Sequence, residues 1–275
     1  LGNYTSEFTK IITLLVFGVA AAALGAYLLI GLKINMWIVL PIVVITTLAL
    51  MKFLSPGELK ENLDNQFAIF GNKHTWIMTI IYTMTFGSFI GYAASFPKLI
   101  QDIFGGEINP FAWAFLGPLV GALIRPVGGW LADKVGSGSK VTAWSTILQI
   151  VSALAVAYFI VKAREVAAVS GAAEAAAQYW WPFFWGFMFL FAGTGIGNGS
   201  TFRSVPYIFN KIQGPVLGWT DAIAAYGAFI MPKLFGEQIK AGHAEYAIYG
   251  FVVYYFICLV LNWWYYDRKN SEVKC

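Results

Sequence analysis

Eight stretches of about 20 apolar residues, at 11–32, 35–54, 76–99, 110–131, 141–162, 181–208, 216–236 and 245–266, dominate this sequence. About 20 such residues cross a bilayer as a helix, and a helix pairs its own backbone polar groups where no water can. The expected fold class is therefore an all-α polytopic membrane protein of about eight transmembrane helices. Only 12% of residues are charged, against roughly 25% in a soluble domain, so no separate soluble domain is expected. The net charge of +4 is small and scattered, which argues against a nucleic-acid partner.

Lysines and arginines set the orientation. With eight crossings both termini share one side, which collects eleven of the basic residues against six on the other. The basic-rich side is the cytoplasmic one, so both termini are placed there, in an inner or plasma membrane. Tryptophan and tyrosine gather near segment ends, as at Trp180, Trp181 and Trp263 to Tyr266, where interfacial anchors belong. The polar stretch 55–75 reads as a cytoplasmic linker and 267–275 as a cytoplasmic tail. The alanine-rich run 164–179 reads as a helical extension on the far side, without chemistry.

Two cysteines, Cys258 and Cys275, give no disulfide or metal framework. His74 and His243 fall in polar connections, so no haem, other cofactor or metal is expected. No nucleophile–base pair stands out, and the chain is not read as an enzyme.

Arg125 is the exception inside an apolar segment. A cation there costs about 2.5–3.5 kcal/mol on insertion scales and usually faces a bundle interior or a cavity. The alternative is snorkelling to the interface, but at about seven residues from the helix end the reach is roughly 10 Å. Asp221 is the one acid placed within the apolar segments, and its suggested partner is Arg203. An arginine without a fixed carboxylate is read as an anion site, its planar fork matching a flat oxyanion.

Two other segments carry special residues at the same depth. In 76–99, Gly87, Gly91 and Ser95 form a small-residue ridge, while Tyr82, Phe86 and Phe89 share another face. In 181–208, Gly193 pairs with Gly197 and Gly195 with Gly199, and Asn198, Ser200 and Thr201 add hydrogen-bonding groups. The glycine spacing is wrong for a dinucleotide fingerprint. Arg125, Tyr82, Phe86, Asn198 and Ser200 are the candidate substrate-binding residues. Gly87, Gly91, Gly193, Gly195, Gly197 and Gly199 are the candidate helix-packing and gating positions. Catalytic and metal-binding residues are not assigned.

Four stretches in order carry a resemblance: "TFGSFIGYAASFP" (85–97), "GPLVGALIRPVGGWLAD" (117–133), "GTGIGNGSTFRSVPYIF" (193–209) and "AIAAYGAFIMPKLFG" (222–236). With "GGWLADKVGSGSK" (128–140), a major-facilitator loop pattern, they resemble the NarK-type nitrate/nitrite porters. The resemblance covers residues 76–266 and implies a twelve-helix, two-bundle porter working by alternating access, with the anion held between two arginines. It implies that Arg125 is the arginine of the second bundle and that Tyr82 and Phe86 are the aromatics contacting substrate. On this reading 1–54 is the last two helices of the first bundle, 55–75 the linker and 76–266 the C-terminal six-helix bundle. The chain starts at Leu1 rather than Met and is read as a fragment, its first four helices and second arginine missing. The expected partners are nitrate, nitrite, the lipid bilayer and the missing helices of the same porter, which is expected to be a monomer. Nitrate/nitrite exchange and proton-coupled nitrate uptake are both left open: no protonatable partner is evident around Arg125, which leans toward exchange, but the missing half could carry one. The alternatives are a porter for another small anion and a non-transporting membrane subunit or scaffold.

Overall fold

A computed structural model of the chain describes residues 2–170 and 173–275. The chain divides into two compact units, 1–71 and 72–275. In the first, α1 (Gly2–Ala26) runs into a π-type turn, Tyr27–Gly31, and α2 follows at Met36–Leu54. Lys33 takes positive φ in the tight connection, and Asn35 caps α2 by accepting from the Trp37 N–H at 3.0 Å. Gly25 lets the two helices close, since a Cβ there would sit 3.0 Å from Val43 Cγ2. The polar stretch expected as a linker contains a helix, α3 (Gly57–Phe67), which Pro56 precedes and Leu59 and Leu63 anchor by burying one side. Lys10 reaches back to it, its ammonium 3.0 Å from Glu58.

In the second unit, α4 (Lys73–Tyr82), a π-type turn at Thr83–Gly87 and α5 (Ser88–Phe104) form one long crossing. A single-turn α6 (Pro110–Trp113) leads into α7 (Leu116–Val135). Gly136, at φ +72°, ends α7 in the left-handed conformation that a residue without Cβ adopts freely. Then come α8 (Gly138–Ser170), a short 3-10 stretch (Ala173–Tyr179), α9 (Trp180–Phe209), α10 (Gln213–Ala225), α11 (Gly227–Lys240) and α12 (Ala244–Asn262).

Among the described residues, six helices are long and apolar enough to cross a membrane: Glu7–Gly31, Met36–Leu54, Lys73–Phe104, Pro110–Val135, Gly138–Ser170 and Ala244–Asp267. The other two expected crossings have different characters. The segment 181–208 lies in a single 30-residue helix, α9, whose glycines, tryptophans and polar residues dilute its apolarity. The segment 216–236 is broken at Tyr226 into α10 and α11, of 13 and 14 residues. The chain is thus an all-α, multi-pass membrane protein.

Burial inside lipid gains little from the hydrophobic effect, because the tails are as apolar as leucine; close packing and interhelical hydrogen bonds take over. Phe183, Phe187 and Phe191, four apart on α9, meet α5, with Phe96 and Phe187 rings 4.6 Å apart and Phe104 and Phe183 5.1 Å apart. Tyr255 on α12 places its hydroxyl 2.8 Å from Tyr92 Oη and 2.9 Å from Ser88 Oγ. Leu123, Val151, Phe189 and Phe256 point outward and are exposed, as lipid-facing residues are.

The two flanking segments are tied down. The alanine-rich extension, of which residues 171 and 172 lie outside the described residues, sends Arg164 to the buried Glu245 at the start of α12, 2.6 Å away. In the tail, Glu272 pairs with Lys73 at 2.6 Å, and the Cys275 carbonyl accepts from Ser137 and Ser139 hydroxyls.

Candidate functional site

Arg125 projects from α7 onto aromatic rings of the neighbouring crossing. Its guanidinium carbon lies 4.2 Å from the Phe89 centroid and 5.2 Å from that of Phe86. The Phe86 and Phe89 rings are 19° from parallel, and Tyr82 follows with its centroid 5.6 Å from Phe86. A cation over such faces gains about 0.5–2 kcal/mol, more as water is excluded. The cation is half-buried, and no carboxylate of the described residues forms an ion pair with it within 4.0 Å. Arg125 Nε is buried and has no acceptor among the described residues.

Asn198 on α9 supplies a second such group: Nδ2 is a buried donor without an acceptor, in a residue 1% exposed. Its amide is a polar neighbour of the Tyr82 hydroxyl, as is the Asp221 carboxylate on α10. Arg203 is not the partner of Asp221: Arg203 Nε donates to Asp133 Oδ1 at 3.0 Å, in the last turn of α7. Sequence alone left the helix rotations open, and these decide which acid meets which arginine.

Tyr82, Phe86, Arg125 and Asn198 therefore come together, and Ser200 does not. Its hydroxyl lies 2.8 Å from Thr142 Oγ1 on α8 and 3.0 Å from the Gly197 carbonyl, so its hydrogen bonds are made within the α8–α9 contact. Phe89 was legible as a member of the aromatic face, and its closeness to the cation adds it to the site. Gln149 on α8 had no signal beyond a polar type in an apolar run. It is 0% exposed, with both amide atoms unpartnered, and Nε2 would lie 3.5 Å from a Cβ on Gly197.

The glycines hold the frame. A Cβ on Gly199 would run into the Arg125 carbonyl oxygen, one on Gly195 into that of Gly121, and one on Gly128 into that of Ile196. α7 and α9 thus touch backbone to backbone, and one of those contacts is with the arginine itself. Gly193 and Gly197 face α8, through Gln149 Cγ and Ser145 Oγ. A Cβ on Gly87 would lie 3.0 Å from the Ala224 carbonyl oxygen, and one on Gly91 would run into Met231 and the Gly227 carbonyl.

No family model matches the chain. A Thermus thermophilus protein named probable nitrate/nitrite antiporter NarK2 is 39% identical over 241 residues, which are 86% of this chain and 51% of that protein. The nitrate/nitrite transporter NarU of Salmonella typhimurium is 31% identical over 260 residues, covering 86% and 53% of the two chains. NarU of Escherichia coli is 30% identical over 263 residues, covering 86% and 54%. The chain spans about half the length of the curated relatives it matches. Similarity at this level, across most of the chain and including the helices that carry the arginine, the aromatics and the glycine seats, places it in the NarK-type nitrate/nitrite porter family of the major facilitator superfamily.

Proposed function

We propose that this chain forms part of a secondary transporter that moves nitrate and nitrite across a membrane by alternating access. One observation carries the reading: two buried donors without acceptors, Arg125 Nε and Asn198 Nδ2, lie in the layer lined by Tyr82, Phe86 and Phe89. Donors in excess of acceptors, on a guanidinium kept from any carboxylate salt bridge, suit an anion; flat aromatic walls suit a planar one. The names of the relatives support nitrate and nitrite as that anion. Arg125 binds the oxyanion through paired charge-assisted hydrogen bonds, Asn198 and Tyr82 complete its hydrogen bonding, and Phe86 closes one face.

On the same reading, 76–266 is the C-terminal bundle, 55–75 joins it to 1–54, the last two helices of a first bundle, and 267–275 is a cytoplasmic tail. Both termini face the cytoplasm from an inner or plasma membrane, and the working unit is a monomer. The test is Arg125→Lys with nitrate uptake measured in proteoliposomes. Lysine keeps the charge and loses the fork, and the expected result is abolished uptake at normal protein levels. Near-normal uptake refutes the assignment. Competition by nitrite but not by chloride, sulfate or formate is the accompanying specificity result.

A further inference from the structure

Arg125 carries a charge that no carboxylate of the described residues holds within ion-pair distance. An arginine left free visits many rotamers, and ordering it only when the anion arrives would subtract from affinity. Its hold comes from elsewhere. Among the described residues, the other cation–ring contacts join positions one or four apart in sequence, as helical spacing alone produces. Arg125 differs: both of its rings belong to another crossing, so the contact exists only where α5 and α7 pack together.

The packing that delivers Phe89 is specific. Gly121 lies four residues before Arg125, on the same side of α7. Helical side chains lean toward the N-terminus, so Arg125 leans over the position of Gly121. With no side chain there, the Phe89 ring takes the spot: a Cβ on Gly121 would sit 2.7 Å from its Cε2 and 2.8 Å from its Cδ2. Phe191 meets that ring edge-on at 6.2 Å, and Phe86 stacks beside it at 6.4 Å. The guanidinium carbon then lies 4.2 Å from the Phe89 centroid, against 5.2 Å for Phe86, and the attraction of a charge to a ring face fades steeply with distance.

A ring does for this cation what a carboxylate could not. A carboxylate would accept the N–H groups and cancel the charge. The negative face of a ring attracts the charge and leaves the N–H groups for an anion.

We propose that Phe89 is the positioning residue of the anion site: its face holds the Arg125 guanidinium in place before the anion arrives, and Gly121 gives that ring its seat. The proposal rests on the reading of Arg125 as the anion site. It separates two rings that helical spacing presents alike, since Phe89 holds the arginine while Phe86 closes on the anion.

The test is titration calorimetry of nitrate into the purified porter, with phenylalanines carrying one, two and three ring fluorines in place of Phe89. Fluorine drains the negative face and changes the size of the ring little, so a ring that merely fills space gives a flat series. Nitrate affinity should instead fall at each step. Phe89→Leu, which removes the face, should lose about 2- to 30-fold, the range of one cation–ring contact from exposed to desolvated. Gly121→Ala pushes the ring from its seat and should also weaken nitrate, but add little once Phe89 is leucine. The fluorine series at Phe86, farther from the cation, should fall less steeply. A flat series at Phe89, with nitrate still bound, overturns the proposal and leaves the Arg125 reading standing. An equally steep series at Phe86 overturns it too, and losses from Gly121→Ala and Phe89→Leu that simply add refute the seat. Absence of nitrate binding by the wild type, or undiminished binding by Arg125→Lys, removes the Arg125 reading and the proposal with it. Should the leucine variant not fold, as read by its thermal unfolding, the near-isosteric fluorine series decides alone.

Discussion

Replacing Gly199 by alanine places a methyl group against the backbone of α7, where the nearest atoms are the Arg125 carbonyl oxygen and the Gly129 amide nitrogen. The first contact is far inside van der Waals range; the second is 2.8 Å, where ordinary contact begins at 3.4 Å. Neither atom is the end of a flexible side chain, so α9 and α7 must separate at the level of the arginine by well over the roughly 0.6 Å that the amide contact alone requires. Overpacking of this kind costs about 1–3 kcal/mol, offset by the roughly 0.8–1.0 kcal/mol that alanine gains over glycine in a helix. Stability should therefore drop modestly, by up to about 2 kcal/mol. Function should suffer more: a displaced guanidinium loses at least one charge-assisted hydrogen bond to the anion, about 1.5–3 kcal/mol or roughly 10- to 100-fold in affinity. The matched control is Gly129→Ala on the facing helix, whose Cβ would meet only the Gly199 carbonyl at 3.7 Å. It should bind nitrate as the wild type does. Calorimetric nitrate affinity and thermal unfolding of both variants in detergent make the comparison. If Gly199→Ala binds normally, or Gly129→Ala is as damaged, the backbone contact does not position the arginine.

Two further outcomes follow from other contacts. Gln149→Leu removes two unpartnered amide atoms from a fully buried site at similar volume, and should raise thermal stability by about 1–3 kcal/mol; a lower unfolding midpoint counts against this account of the α8–α9 contact. Glu245→Ala takes the carboxylate from Arg164, leaving its bond to the Gly242 carbonyl, and should lower stability by about 1–3 kcal/mol, that bond and the partial exposure of Arg164 keeping it below the cost of a fully buried pair; an unchanged midpoint shows that the bridge is not holding α8 to α12.

Much of this protein was legible before its helices were placed. Lipid demands long apolar runs, so the crossings announce themselves, and a charge inside one is rare enough that Arg125 stood out at once. Tyr82, Phe86 and Phe89 followed from helical spacing. What failed to show were properties of rotation and contact. Ser200 sits two residues from Asn198, far enough round α9 to face Thr142 instead of Arg125. Arg203 and Asp221 lie on adjacent segments, yet Arg203 binds Asp133 on a third helix. The helical break at Tyr226 interrupts a run whose apolarity is continuous, so composition alone did not reveal it. The helix α3 lay hidden in a stretch whose polarity suggested only a linker, since its buried side consists of little more than Leu59 and Leu63.

The wide turn at Thr83–Gly87 has a consequence for which way Tyr82 looks. In a regular helix at about 100° per residue, positions five apart diverge by roughly 140°, so Tyr82 and Gly87 would address different neighbours. A turn closed from i to i+5 brings such positions nearly above one another, and here both address α10: Gly87 through Ala224, Tyr82 through Asp221. Straightening that single turn would leave every residue of the binding layer in the chain while swinging the tyrosine out of the company of its acid.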